Sequence, residues 1–245
     1  MPNALLLFDV DQTLITSHGS GMRAMLAAGR EMFGPQFSTE SVSFAGRIDP
    51  LILHELIAAA GHEPTAERME TFKQTYFRHI HVTLAEAKVH PEKPARTLPG
   101  VLELLAELEG NHAGLCRGVL TGNYELSGLA KLRACGIAPE VFTIRVWGDE
   151  SRSVPPTRND LPAVGIAKFG EHHSRPVQPS RTVIIGDTPH DVACAHACGC
   201  KCLAVATGFS SVDELRRAGA DAVVENLGET RRVVEVLYGL TGGGG

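Results

Sequence analysis

Four apolar residues, Leu5-Leu6-Leu7-Phe8, run directly into Asp9-Val10-Asp11. An unbroken apolar run of this kind reads as a strand buried on both faces, as interior strands of parallel sheets are. Such strands end at the sheet edge where open α/β folds bind ligands. Two carboxylates flanking one valine at that edge repel each other unless a cation or a shared proton compensates. The segment therefore reads as a carboxylate that holds a metal or attacks a substrate. A helix cap or acidic turn accounts less well for two acids so placed.

The 245 residues suit one large domain, or a core with a smaller insert. A net charge of -5 argues against nucleic acid or an anionic membrane as the main partner. No apolar stretch approaches the roughly 20 residues of a membrane span. The first apolar run is also too short for a signal-peptide core, which points to the cytoplasm. Of six cysteines, Cys194, Cys198, Cys200 and Cys202 cluster, and Cys116 and Cys135 stand apart. The cluster is split between an expected helix and the following strand, an awkward geometry for tetrahedral zinc. These residues read as small buried thiols in a reducing compartment.

After the first strand, residues 20 to about 90 read as almost entirely helical. Met22, Met25, Leu26, Gly29 and Phe33 follow helical spacing, as do Leu53, Leu56, Ile57 and Ala60, and then Met69, Phe72, Tyr76 and Ile80. The breaker segment His90-Pro91-Glu92-Lys93-Pro94 ends this stretch. Strands and helices then alternate. Strands are expected at Leu115–Leu120, Val141–Trp147, Thr182–Ile185, Cys202–Val205 and Ala222–Val224. Helices are expected at Val101–Leu108, Leu126–Cys135, Asp160–Glu171, Asp191–Cys198, Val212–Ala218 and Glu229–Leu237. The pattern predicts a doubly wound parallel α/β sheet, residues 1–15 and 97–245, with a helical domain, residues 16–96, inserted after the first strand. The run Gly242–Gly245 reads as an unstructured tail that need not be native.

Other expected strand ends carry polar groups. Val119-Leu120 leads into Thr121-Gly122-Asn123. Val183-Ile184-Ile185 leads into Gly186-Asp187-Thr188-Pro189-His190-Asp191. The strand ending near Trp147 leads through Asp149 to Arg158-Asn159-Asp160. In a parallel sheet with right-handed crossovers these ends share one edge. Two acidic pairs, a hydroxyl, loop amides and a guanidinium would then meet, a donor set suited to Mg²⁺ and a phosphoryl group.

With these motifs in this order, the chain resembles the haloacid dehalogenase-like hydrolase superfamily. Gly46-Arg47-Ile48-Asp49 and Ala206-Thr207-Gly208-Phe209 are similar to its phosphoglycolate-phosphatase-like branch, in which a helical cap covers the core. The resemblance implies that Asp9 is the nucleophile and forms an aspartyl-phosphate. It implies that Asp11 is the general acid and base and offers its backbone carbonyl to the metal. Asp9 and Asp187 would ligate Mg²⁺, with Asp191 nearby or acting through water. Thr121, Gly122 and Asn123 would bind phosphate, with Arg158 rather than Lys168 as the accompanying cation. Retention of Asp11 favours phosphate-ester chemistry over dehalogenation or phosphonate cleavage. The implied activity is hydrolysis of a small phosphorylated metabolite, with phosphoglycolate the default. A phosphomutase or phosphotransferase, or a non-catalytic binder of phosphorylated ligands, are the alternatives. Gln12 stands where the family usually has glycine.

In the helical insert, Arg47 is either a substrate-facing cation or a solvated loop arginine. Arg23 and His18 are weaker candidates for substrate contact. His190 is expected to face solvent. Trp147 and Asp149 are expected to anchor structure.

Overall fold

The computed structural model describes residues 2–242, so Gly243–Gly245 of the C-terminal glycine run lie outside the described residues. Strand β1 (Ala4–Phe8) is buried at all five positions. It is followed by the two-residue strand β2 (Ile15–Thr16) and by helices α1 (Ser20–Phe33), α2 (Asp49–Ala59) and α3 (Ala66–Lys88). Strand β3 (Arg96–Thr97) pairs antiparallel with β2. That small antiparallel ribbon, which the sequence pattern did not suggest, joins the two ends of the helical insert.

The remaining elements alternate. They are α4 (Val101–Asn111), β4 (Leu115–Leu120), α5 (Glu125–Ala134), β5 (Ile144–Val146), α6 (Leu161–His173), β6 (Thr182–Gly186), α7 (Pro189–Ala197), β7 (Lys201–Val205), α8 (Val212–Arg217), β8 (Ala222–Val224) and α9 (Thr230–Leu240). Six parallel strands form one sheet in the order β5-β4-β1-β6-β7-β8. From β1 the chain steps outward to β4 and β5, then returns to the other side of β1 with β6. The order thus reverses between β1 and β6, which opens a crevice at their carboxyl ends. Asp9 and Asp187 are the first residues beyond those two strands.

Alternate residues of β1 feed two apolar layers. Leu6 and Phe8 pack with Leu104, Val233 and Leu237 of α4 and α9. Leu5 and Leu7 pack with Val164 and Phe169 of α6 and with Val192 of α7. The insert has its own core around Met25, Leu53, Phe72 and Tyr76, joined by Tyr124 from the sheet domain.

The strand expected at Val141–Trp147 is shorter, because Pro139–Val141 forms a 3-10 turn and pairing with β4 begins where the Thr143 amide meets Arg117 O at 2.9 Å. It stops at Trp147, whose amide donates to Glu150 Oε2 at 2.9 Å and caps the next turn. Helix α6 begins after a 3-10 turn at Arg158–Asp160. The Cys194 and Cys202 side chains lie inside the core as free thiols. Among the described residues, no helix is long and apolar enough to cross a membrane.

Gly118 of β4 faces Leu7. A Cβ there would come 2.8 Å from Leu7 Cδ2 and 2.9 Å from the Ile144 carbonyl oxygen. Gly118→Ala is expected to destabilise the protein by about 1–3 kcal/mol through overpacking. Urea denaturation checks this, and an unchanged midpoint would contradict the tight β5-β4-β1 packing.

Candidate active site

The β1 ladder continues one step past the strand, since the Asp9 amide donates to Ile185 O at 2.8 Å. This places the Asp9 carboxyl over the β1/β6 crevice, buried beside Asp187 and Asp191. Among the described residues, these three form the one group whose potential metal-ligating atoms lie within 4.8 Å of one another. Asp191 is the third residue of α7, in its first turn, where Thr188 and Asp191 form a reciprocal cap. Asp191 Oδ2 accepts from the Thr188 amide at 3.0 Å and from its hydroxyl at 2.6 Å. Its Oδ1 accepts from the Arg158 guanidinium. The same Arg158 nitrogen lies 3.0 Å from Asp9 Oδ1, but that oxygen has no hydrogen bond of good geometry, and it is buried.

The electrostatics of this cluster are unbalanced. Burial, reinforced by the Asp191 and Asp11 charges and only partly offset by Arg158, pushes Asp9 up to about 6. Burial, with the charges of Asp191 and Asp9, pushes Asp187 up to about 8. Arg158 remains charged against burial because Asp191 and Asp9 attract it. Buried, mutually repelling carboxylate oxygens, one of them without a donor, are a hard-oxygen set that could hold a divalent cation such as Mg²⁺. Asp187 is approached closely on its other side, since a Cβ on Gly208 would fall 1.8 Å from Asp187 Oδ2. The sequence Ala206-Thr207-Gly208 thus lets the loop after β7 close over the carboxylate.

The loop after β4 supplies the facing wall. Thr121 Oγ1 accepts from Asn123 Nδ2 at 2.7 Å, which leaves the hydroxyl proton free to donate. Asn123 Nδ2 also donates to Asp11 Oδ2 at 2.8 Å. Lys131 of α5 was not singled out by its sequence. Its Nζ lies 2.7 Å from Asp11 Oδ2 and 2.5 Å from Asn123 Oδ1. Burial alone would raise the Asp11 pKa, but the Lys131 ammonium and the bonds from Lys131 and Asn123 outweigh it and hold Asp11 low. The sequence carried no signal for it, because only the packed structure shows which face of α5 is buried. Ser127, Gly128, Lys131 and Leu132 form the buried stripe of α5, and a lysine at a core position needs a partner. Lys168, by contrast, is spent outside the crevice on Glu150 Oε1 at 2.5 Å and Arg145 O at 2.6 Å.

The helical insert sits over this edge. The Asp49 amide donates to Gly122 O at 2.7 Å, and the Asp49 carboxylate accepts from the Tyr124 amide at 3.0 Å and Ser127 Oγ at 3.3 Å. A residue of the insert thus caps the sheet-domain helix that carries Lys131. Gly122 has no room for a side chain, because a Cβ would fall 1.9 Å from Arg47 O. His190 is exposed, as expected, and its ring lies beside the insert, where a Cβ on Gly46 would fall 2.6 Å from it.

Sheet edge and insert enclose a cavity of about 540 Å³, lined by Asp9, Asp11, Thr121, Gly122, Asn123, Arg158, Lys131 and Asp187 and, from the insert side, by His18 and Arg47. The Arg47 guanidinium is forked onto Glu55, 2.7 Å to Oε2 and 2.5 Å to Oε1, and reaches Ser43 O at 3.2 Å. Arg23 is not among the lining residues; it donates to His18 O and, at 3.1 Å, to Ser20 Oγ. Gln12 lines the cavity with φ 61°, a left-handed conformation that explains why glycine is the usual occupant.

The family model for haloacid dehalogenase-like hydrolases matches residues 6–196. The chain belongs to that family. A phosphoglycolate phosphatase of Nitrosospira multiformis is 24% identical over 96% of this chain and 97% of its own length. A validoxylamine A 7'-phosphate phosphatase of Streptomyces hygroscopicus subsp. limoneus is 25% identical over 92% of this chain and 94% of its own. Among solved structures, CbbY from Rhodobacter sphaeroides in complex with phosphate superposes with a TM-score of 0.71 at 20% identity, covering 94% of this chain and 96% of that one. The six-stranded α/β core and the inserted α1–α3 region are thus those of a haloacid dehalogenase-like fold.

Asp49 yields a pH prediction. Burial, only partly offset by Lys131, pushes its pKa up to about 6. The folded state therefore holds a proton that the unfolded chain releases near pH 4, and stability falls as pH rises through about 6. Asp49→Asn keeps an acceptor for Tyr124 without the buried charge. It is expected to stabilise the protein by ~1–3 kcal/mol at pH 8 and to change little at pH 4.5. Paired denaturation curves at the two pH values check this; a pH-independent difference would contradict it.

Proposed function

We propose that the protein is a Mg²⁺-dependent phosphatase that hydrolyses a small phosphorylated metabolite through an aspartyl-phosphate on Asp9. The observation that carries this reading is the buried Asp9, Asp187 and Asp191 cluster with an undonated Asp9 oxygen. Family membership and phosphatase relatives give the class, a phosphoric monoester hydrolase. Those relatives carry different substrate names, so phosphoglycolate serves as the reference compound. In this reading residues 16–96 act as a cap over the core.

Bound Mg²⁺, held by Asp9, the Asp11 carbonyl and Asp187, would neutralise the repulsion between Asp9 and a phosphate dianion. Asp191 has both oxygens taken by Arg158 and Thr188, so it acts by fixing Arg158 beside Asp9. One Asp9 oxygen forms the new P–O bond while the ester oxygen leaves and takes a proton from Asp11. The incoming phosphate raises the proton affinity of Asp11 against the pull of Lys131, so Asp11 takes up a proton from solvent as substrate binds and donates that proton to the leaving oxygen. Asp11 then removes a proton from water, whose oxygen attacks phosphorus and releases Asp9 and inorganic phosphate. Thr121, the Gly122 and Asn123 amides and Arg158 hold the phosphoryl oxygens. Lys131 and Asn123 aim the Asp11 carboxylate.

The test is phosphate release from a metabolite panel with and without Mg²⁺. Release only with Mg²⁺, reduced at least about a thousandfold by Asp9→Asn, supports the reading. Isomer formation without release would indicate a mutase, and binding without turnover a regulator. Lys131→Met is expected to lower kcat about 10- to 100-fold with KM nearly unchanged, because it removes an aiming contact at Asp11 rather than a substrate contact. An unchanged kcat would remove Lys131 from the machinery.

A further inference from the structure

The cavity is larger and more apolar than a two-carbon acid phosphate requires. Its volume, about 540 Å³, lies within the range of pockets that take drug-sized ligands. Beyond the phosphate end, its walls include Met22, Met25, Phe44, Ile52 and Phe209. Met25 and Ile52 are buried in the insert, but Met22 is 44% and Phe209 91% exposed. Large apolar side chains left in water at a cavity mouth gain burial when an apolar body enters.

The cations of the lining are mostly committed elsewhere. Arg158 is held between Asp191 and Asp9, Lys131 by Asp11 and Asn123, and Arg47 by the two Glu55 oxygens. Lys93 is exposed on the segment after α3, where water screens its charge. A second carboxylate or phosphate on the substrate would thus meet no desolvated, uncommitted guanidinium. Two polar groups that form no ion pair among the described residues also line the cavity. His18 Nε2 is buried without a hydrogen-bond partner. The Gln12 amide group sits on a left-handed backbone and is tethered only to Thr16 Oγ1 at 3.3 Å. An unpartnered buried nitrogen is satisfied by a hydroxyl.

Given the phosphatase reading, on which this step rests, we propose that the preferred substrate is the phosphate monoester of an uncharged, ring-sized polyol. One face of the ring packs against Met22, Phe44 and Phe209, and a hydroxyl pairs with His18. The Glu55 carboxylate acts as a specificity element, because it neutralises the one arginine of the insert that lines the cavity.

The test compares steady-state phosphate release, with Mg²⁺, from phosphoglycolate, myo-inositol monophosphate and cyclohexyl phosphate. The expected result is a kcat/KM for myo-inositol monophosphate at least about tenfold above that for phosphoglycolate, with cyclohexyl phosphate between them. Phe209→Ala, at an exposed position that does not threaten folding, should raise KM for both ring esters by a larger factor than for phosphoglycolate. Glu55→Gln frees Arg47 and should raise kcat/KM for phosphoglycolate severalfold relative to the ring esters. Faster turnover of phosphoglycolate than of both ring esters by the parent protein would overturn the proposal and leave the phosphatase reading standing. Equal effects of Phe209→Ala on all three compounds would do the same. No phosphate from any of the three compounds, with release from another member of the metabolite panel, would overturn this proposal alone, and no release from the whole panel would remove the phosphatase reading with it.

Discussion

Three carboxylates buried at one point repel one another, and each loses the hydration that would let it keep its charge. Asp9, Asp187 and Asp191 are held there by elements that have little freedom to yield. Asp9 is fixed by the ladder between β1 and β6, Asp187 by the end of β6, and Asp191 by its cap on α7. Arg158 relieves part of the repulsion but bonds squarely to Asp191 alone. What remains is an oxygen-rich hollow whose excess charge a proton or a hard cation could balance. The reversal of strand order beside β1 puts this hollow in the crevice where a ligand can enter.

The insert turns that edge into an enclosed site. Besides apolar packing of α3 on α5, it is seated by Asp49, whose amide and carboxylate both bond to the segment running from Gly122 into α5. That segment carries Asn123 and Lys131, which orient Asp11. Seating of the insert and aiming of Asp11 therefore share one short stretch of chain. The energetic cost of this arrangement is a fourth buried acid, Asp49, whose pKa burial holds up near 6.

Much of this was legible in the sequence, for identifiable reasons. The β1 run and the acids after it announce themselves because a strand buried on both faces has no other reason to end in two carboxylates. Thr121, Asp187 and Arg158 follow the same rule of polar groups beyond apolar runs. Arg158 was separable from Lys168 by position, since Lys168 lies about two turns into α6, leading away from the edge. Lys131, Asp49 and the Arg47–Glu55 fork were not read. Lys131 has the residue type of a solvated helix face, and only tertiary packing buries it. Asp49 resembles an ordinary acid at the start of a helix, yet it caps α5 across the interface rather than its own helix. Glu55 lies two turns along α2 from Arg47, on a face whose orientation depends on how the insert docks. The β2–β3 ribbon was missed because two-residue strands carry no periodicity.

The most direct test of the account is calorimetric titration of the purified protein with Mg²⁺ at neutral pH, alongside Asp187→Asn. If the buried cluster is a cation site, the parent binds one Mg²⁺ per chain and Asp187→Asn, still folded by circular dichroism, loses that binding. Absence of binding to the parent, or equal binding to both proteins, would contradict it.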